Sequence, residues 1–122
     1  MTALDTLLTR IASFGELQAG WYVGYGYEDG QPISETVRTA AARFVTALLQ
    51  AGLTDCRVYP DPEGGVQIEL TTSEYESDIR ILPDRIGIAI ETVDQPESAE
   101  IYLKGNVLSD RLVDQAIRFF TG

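Results

Sequence analysis

Val66-Gln67-Ile68-Glu69-Leu70, Asp78-Ile79-Arg80-Ile81-Leu82, Ile86-Gly87-Ile88-Ala89-Ile90-Glu91 and Glu100-Ile101-Tyr102-Leu103 return an apolar side chain at every second position. A period of two is that of a strand with one buried face. Arg57-Val58-Tyr59-Pro60 adds a shorter strand ahead of them, and Asp61-Pro62-Glu63-Gly64-Gly65 reads as the turn into residue 66. Leu82-Pro83-Asp84-Arg85 is a second turn, with Pro83 at a position its fixed φ suits. The polar stretch Asp94 to Ser98 separates the last two strands.

Requiring all isoleucines to share one face sets a register. It pairs Leu70 with Ile79 and Ile68 with Ile81, then Ile81 with Ile86 and Ile79 with Ile88, then Ile90 with Ile101 and Ile88 with Leu103. The opposite face then carries Gln67, Glu69, Arg80, Gly87, Ala89, Glu91, Glu100 and Tyr102. In this register Glu69 faces Arg80, a helpful cross-strand pair, and Glu91 faces Glu100, an unfavourable one.

Outside the strands the period changes to that of a helix. Leu4, Leu7, Leu8 and Ile11 predict a helix over Ala3 to Phe14, stopped by Gly15. Ser34 caps a second one, whose stripe of Val37, Ala41, Phe44, Val45, Leu48 and Leu49 runs to Gly52. Arg38 and Arg43 fall off that stripe and read as solvated surface. Ser109 caps a third helix, with Leu112, Val113, Ala116, Ile117, Phe119 and Phe120 as its apolar side. The expectation is a single α+β domain over residues 1–122, with an antiparallel meander of about five strands and the helices packed on one face.

Composition narrows the function. The chain of 122 residues holds 9 basic and 19 acidic residues, a net charge of −10, with no histidine and one cysteine. Imidazole acid–base chemistry, imidazole metal sites and internal disulfides are thereby excluded. Only Lys104 and scattered arginines are available to neutralise phosphates, so direct nucleic-acid binding is not expected. The same charge repels anionic lipid and attracts a basic protein surface. No apolar run approaches the ~20 residues that span a bilayer, and the opening residues lack a basic segment ahead of an apolar one. A cytoplasmic location is expected.

No constellation points to catalysis. Cys56 has no base to activate it and reads as a structural or partly exposed thiol. Asp61 to Gly65 lacks the alternating acids of a calcium loop, and Glu74, Glu76 and Asp78 form an acid cluster with no defined geometry. Glu28, Asp29, Glu63 and Glu69 are carboxylates of the type hydrolases use, with nothing to fix their separation. The glycines around Gly20-Trp21-Tyr22-Val23-Gly24-Tyr25-Gly26-Tyr27 lack the Lys-Ser or Lys-Thr of a phosphate loop. No catalytic, cofactor or metal residue is assigned. The aromatics leave two readings open: Trp21 as a local plug, and Tyr22, Tyr25 and Tyr27 as an amphipathic contact patch.

Gly20-Trp21, then Gly30-Gln31-Pro32-Ile33-Ser34, then Pro60 to Leu70 form an ordered set that resembles a family of small bacterial proteins of undefined function. In that family a GW element and a P-I-S helix start precede a P-x-x-D/E-G-G-x-x-x-E-W strand. Leu70 stands where the family commonly has Trp. The resemblance covers roughly residues 17–90; it implies a fold relation and a mobile-element or defence setting, and supplies no catalytic residues. The reading is therefore a non-enzymatic interaction domain, an inhibitor or accessory subunit for a basic-surfaced protein. Its expected contacts are Trp21, Tyr22, Tyr25, Tyr27, Glu69, Arg80 and Tyr102. A small-ligand or weak cation module, and a structural subunit that self-associates as a homodimer, are the alternatives.

Overall fold

The computed structural model describes residues 2–22, 30–92, 94, 99–105 and 109–122. Helix α1 (Ala3–Ser13) begins with a capping box: the Thr2 hydroxyl accepts from the Asp5 amide, and the Thr2 amide donates back to the Asp5 carboxylate. A 3₁₀ turn (Phe14–Glu16) ends it. In α2 (Glu35–Gln50) the Ser34 hydroxyl accepts from the Val37 amide. Its other end closes when the Leu53 amide donates to the Leu48 carbonyl at 2.9 Å and the Gly52 amide to Leu49 at 3.0 Å. That closure needs a left-handed residue, and Gly52 has φ +86°. Helix α3 (Asp110–Thr121) is capped by the Ser109 hydroxyl, which accepts from Leu112.

Five strands lie between the last two helices: β1 (Cys56–Asp61), β2 (Gly65–Thr71), β3 (Tyr75–Leu82), β4 (Arg85–Thr92) and β5 (Ala99–Lys104). They form one antiparallel sheet in the order β1-β2-β3-β4-β5. The three helices cover one face, with α1 against β1, α2 against β2 and β3, and α3 beside α2 against β5. The domain is α+β, an antiparallel five-stranded sheet with its helices on one side.

The register expected for β3 and β4 is the one found, with Ile79 opposite Ile88 and Ile81 opposite Ile86. The two neighbouring hairpins are each shifted by two residues. Ile68 pairs with Ile79 and Val66 with Ile81, while Leu70 meets Ser77. On the far side Ile88 pairs with Ile101, Ile86 with Leu103 and Ile90 with Ala99. A shift of two leaves every isoleucine on its face, so the core is built as the pattern requires. One row, Val58-Ile68-Ile79-Ile88-Ile101, crosses the whole sheet. Its first four members are buried beneath the helices, and only Ile101 at the β5 edge is exposed. Phe44 of α2 is fully buried in the same core and meets Phe120 edge to face, with ring centroids 6.0 Å apart.

Arg38 and Arg43 do more than solvate the helix surface. Arg38 donates from Nε to the Ile33 carbonyl at 3.2 Å. Arg43 bridges Asp110 at 2.7 Å and Asp114 at 2.5 Å, tying α2 to α3. Asp110 thus serves both the α3 N-terminus and this bridge. No helix among the described residues is long and apolar enough to cross a membrane.

Candidate protein-interaction surface

The uncovered face of the sheet is laid out in cross-strand rows. One runs Arg57-Glu69-Asp78-Ala89-Glu100, and beside it Thr71, Glu76 and Glu91 form a second. Glu69 faces Asp78, and Glu76 faces Glu91. This corrects the expected pairs: Glu69 does not meet Arg80, and Glu100 meets Ala89 instead of Glu91. The physical reason is the two-residue register shift, which preserves the face of every side chain and changes its neighbour. Among the described residues none of these five carboxylates takes part in an ion pair, although Arg57 stands across from Glu69. Arg57, Glu69, Thr71, Glu76, Asp78 and Glu91 line a shallow hollow of about 240 Å³.

Arg80 lies on the same face and is committed elsewhere. Its Nε donates to Asp61 Oδ2 at 2.8 Å, and its terminal nitrogen donates to Asp61 Oδ1 at 3.3 Å and to Glu63 Oε2 at 2.6 Å. Asp61, expected in a turn, is the last residue of β1; it is 3% exposed and also accepts from the Glu63 amide at 2.9 Å. Arg85 approaches Glu63 at 3.7 Å. The hydrogen bonds to Asp61 are the largest influence holding the Arg80 guanidinium protonated, and they outweigh the opposing effect of its burial. Arg80 is a staple between β3 and the β1–β2 turn, which the alternation of the strands alone did not reveal.

Gly20, Trp21, Gly30 and Gln31 are hydrogen-bonded together, and Gln31 is tied to that turn. The Gly20 amide donates to the Gly30 carbonyl at 2.7 Å, the Trp21 indole N–H to the Gln31 carbonyl at 2.6 Å, and the Gln31 amide to the Pro62 carbonyl at 2.8 Å. A Cβ on Gly30 would lie 2.8 Å from the indole, so the ring closes directly on glycine backbone. Trp21 is therefore half-buried and acts as a plug against Gly30 and Gln31. Tyr22, 37% exposed, meets Trp21 edge to face and borders a second hollow with Pro60, Pro62, Gln67 and Arg80. Tyr25 and Tyr27 lie outside the described residues, as do Glu28 and Asp29.

Tyr102 lies on the outer face of β5 with its ring over Gly87, where a Cβ would be 3.0 Å from Cε1. Tyr59, which the sequence reading left out, is exposed on the same row as Gln67 and Arg80 and stacks near the Arg10 guanidinium at 5.7 Å. Its alternation with Arg57 along β1 was the available signal. The outer face thus brings together Glu69, Arg80 and Tyr102 and adds Glu76, Asp78, Glu91 and Tyr59; Tyr22 reaches its β1–β2 end.

Burial first, and the Asp55 charge second, push the Cys56 thiol up to about 11, leaving it protonated at neutral pH. Among the carboxylates weighed for hydrolysis, Glu63 is engaged by Arg80 and Arg85. Among the described residues no group of three or more Asp, Glu or Cys side chains is arranged to hold a metal ion. No family model, curated protein or solved structure matches the chain.

Proposed function

We propose that the chain is a non-enzymatic, acidic interaction domain, an inhibitor or accessory subunit that sets the outer face of its sheet on a basic protein surface. The observation that carries this reading is the pair of like-charged contacts, Glu69 with Asp78 and Glu76 with Glu91, standing side by side with no ion-pair partner among the described residues. Like charges directly opposite one another destabilise a sheet by roughly 0.2–1 kcal/mol per pair, so they work against folding. A cationic surface laid on the rows relieves that repulsion on docking. The net charge of −10 adds long-range attraction to the same kind of partner and repels a phosphate backbone. Tyr59, Tyr102 and Tyr22 supply apolar contact area with a hydroxyl at the margins. Kinship with the small bacterial proteins belongs to the same proposal. It is supported by the hydrogen bonds that join Gly20 and Trp21 to Gly30 and Gln31, and Gln31 to Pro62, bringing together parts of the motif set far apart in the chain.

The test neutralises the rows. E69Q/E76Q/D78N/E91Q and wild type are used as baits in extract of the native cell, and the captured proteins are identified by mass spectrometry. The expected result is a variant that is more stable to urea by about 0.4–2 kcal/mol, the sum of two relieved pairs, and that loses a basic protein held by wild type. Retention of the same protein by the variant, or capture of an acidic one, would overturn the reading. Fluorescence anisotropy with short DNA near physiological salt should show no binding.

A further inference from the structure

The two edges of the sheet are built differently. On β1 the Arg10 Nε donates to the Val58 carbonyl at 2.8 Å, and Pro60 has no N–H to offer. These features blunt that edge against another strand. On β5 no such cover is present among the described residues: β5 pairs with β4 alone, and alternate backbone groups of an edge strand face outward. The helix layer covers β5 only in part. Ile101 is 38% exposed although its row neighbour Ile88 is buried, and Phe119 of α3 is 48% exposed.

The sequence of β5 from Glu100 to Lys104 reads acid, isoleucine, tyrosine, leucine, base. We propose that β5 pairs antiparallel with β5 of a second copy about a two-fold axis at Tyr102. In this register Glu100 of each copy meets Lys104 of the other, and Ile101 meets Leu103 on the helix side. Registers moved by two residues along the strand lose both ion pairs, so the charges select one alignment. Among the described residues neither charge is satisfied within one chain. Glu100 faces Ala89, Lys104 faces Arg85, and neither forms an ion pair there. The two-fold therefore neutralises four charges and shelters two Ile101 side chains in a single isologous contact. The occupant is a second copy because this short strand is its own complement in charge and in apolar pattern. The proposal concerns the edge of the sheet and stands or falls independently of the basic partner on its face.

Sedimentation equilibrium of the full chain, at concentrations up to about 500 μM to reach the weak affinity a small interface gives, reads the mass directly. Salt near 0.15 M screens the overall repulsion between two acidic chains beyond about 8 Å while sparing the direct contacts. Wild type is expected to approach twice its 13.4 kDa. E100K and K104E, each placing like charges together twice, should weaken association at least about tenfold. The double variant E100K/K104E restores opposite charges and should dimerise like wild type. Amide hydrogen exchange provides a second measure, with β5 amides slowing as wild-type concentration rises and not in the single variants. A wild type that stays monomeric, single variants that dimerise normally, or a double variant no better than the singles would each overturn the proposal.

Discussion

Removing Arg80 tests whether the β1–β2 turn is held by a buried charge pair. In R80A the Asp61 carboxylate, 4% exposed, loses both bonds from the guanidinium and keeps the Glu63 amide at 2.9 Å. Leaving a buried charge unpaired costs about 3–5 kcal/mol. Arg80 is itself 32% exposed, so water enters where it stood, and the expected loss is about 2–4 kcal/mol. D61N gives a different outcome. The carboxamide oxygen it introduces still accepts from the Glu63 amide, and the guanidinium keeps Glu63 at 2.6 Å and solvent, so the loss should be about 1–2 kcal/mol.

Urea unfolding measures both losses as midpoint shifts at unchanged slope. The double variant R80A/D61N should cost less than the sum of the singles, because the second substitution removes the orphan that the first creates. A loss below about 1 kcal/mol in R80A, the value of an exposed cross-strand pair, would refute the buried-staple account. So would D61N proving as costly as R80A. The staple also bears on how binding data are interpreted: a weakened interaction in R80A first reports a loosened turn.

Two further outcomes follow from the core and the thiol. I88A, in the middle of the buried row and 1% exposed, should lower stability by about 2–5 kcal/mol, and an unmoved urea midpoint would contradict the burial of that face beneath the helices. Burial raises Cys56 from its ordinary 9.0 to about 11, so the native protein favours the neutral thiol; its contribution is complete below 9.0 and disappears as pH rises toward about 11. Wild type should therefore lose stability relative to C56S across that window, and thiol reagents should react slowly at neutral pH; rapid labelling of folded protein would contradict the burial.

What the sequence made legible follows from local rules with one solution. Ser34, Gly52 and Ser109 mark helix ends because a cap needs a side-chain acceptor or a left-handed residue at one position. The alternating isoleucines identify the buried face because parity admits two choices and only one is apolar. Register is different, since any even slip satisfies the same parity. It is the Thr72 hydroxyl, accepting from the Glu74 and Tyr75 amides, that turns the chain early and starts β3 at Tyr75. A hydroxyl turn competes poorly for attention with the glycines and prolines that mark the other hairpins. Arg80 was hidden for the same reason. Its partner Asp61 looks like a turn residue beside Pro62 and Gly64, and only the pairing of Asp61 with Gly65 places it inside the strand.

The consequences of that slip are confined to the outer face, and this separation bears on function. On the inner face a slip of two replaces one isoleucine neighbour by another apolar side chain, with little change in buried area. On the outer face it exchanges an attractive Glu69–Arg80 contact for the Glu69–Asp78 repulsion and moves Glu100 from Glu91 to Ala89, while the Glu76–Glu91 repulsion belongs to the unshifted β3–β4 pairing. The helices and the isoleucine rows carry enough burial to tolerate repulsion of this size, roughly 1 kcal/mol per pair at most. Folding alone would be better served by alternating charges. A sheet whose stability resides on one face is free to keep an unfavourable charge pattern on the other, and that pattern becomes favourable only when a cation outside the chain meets it.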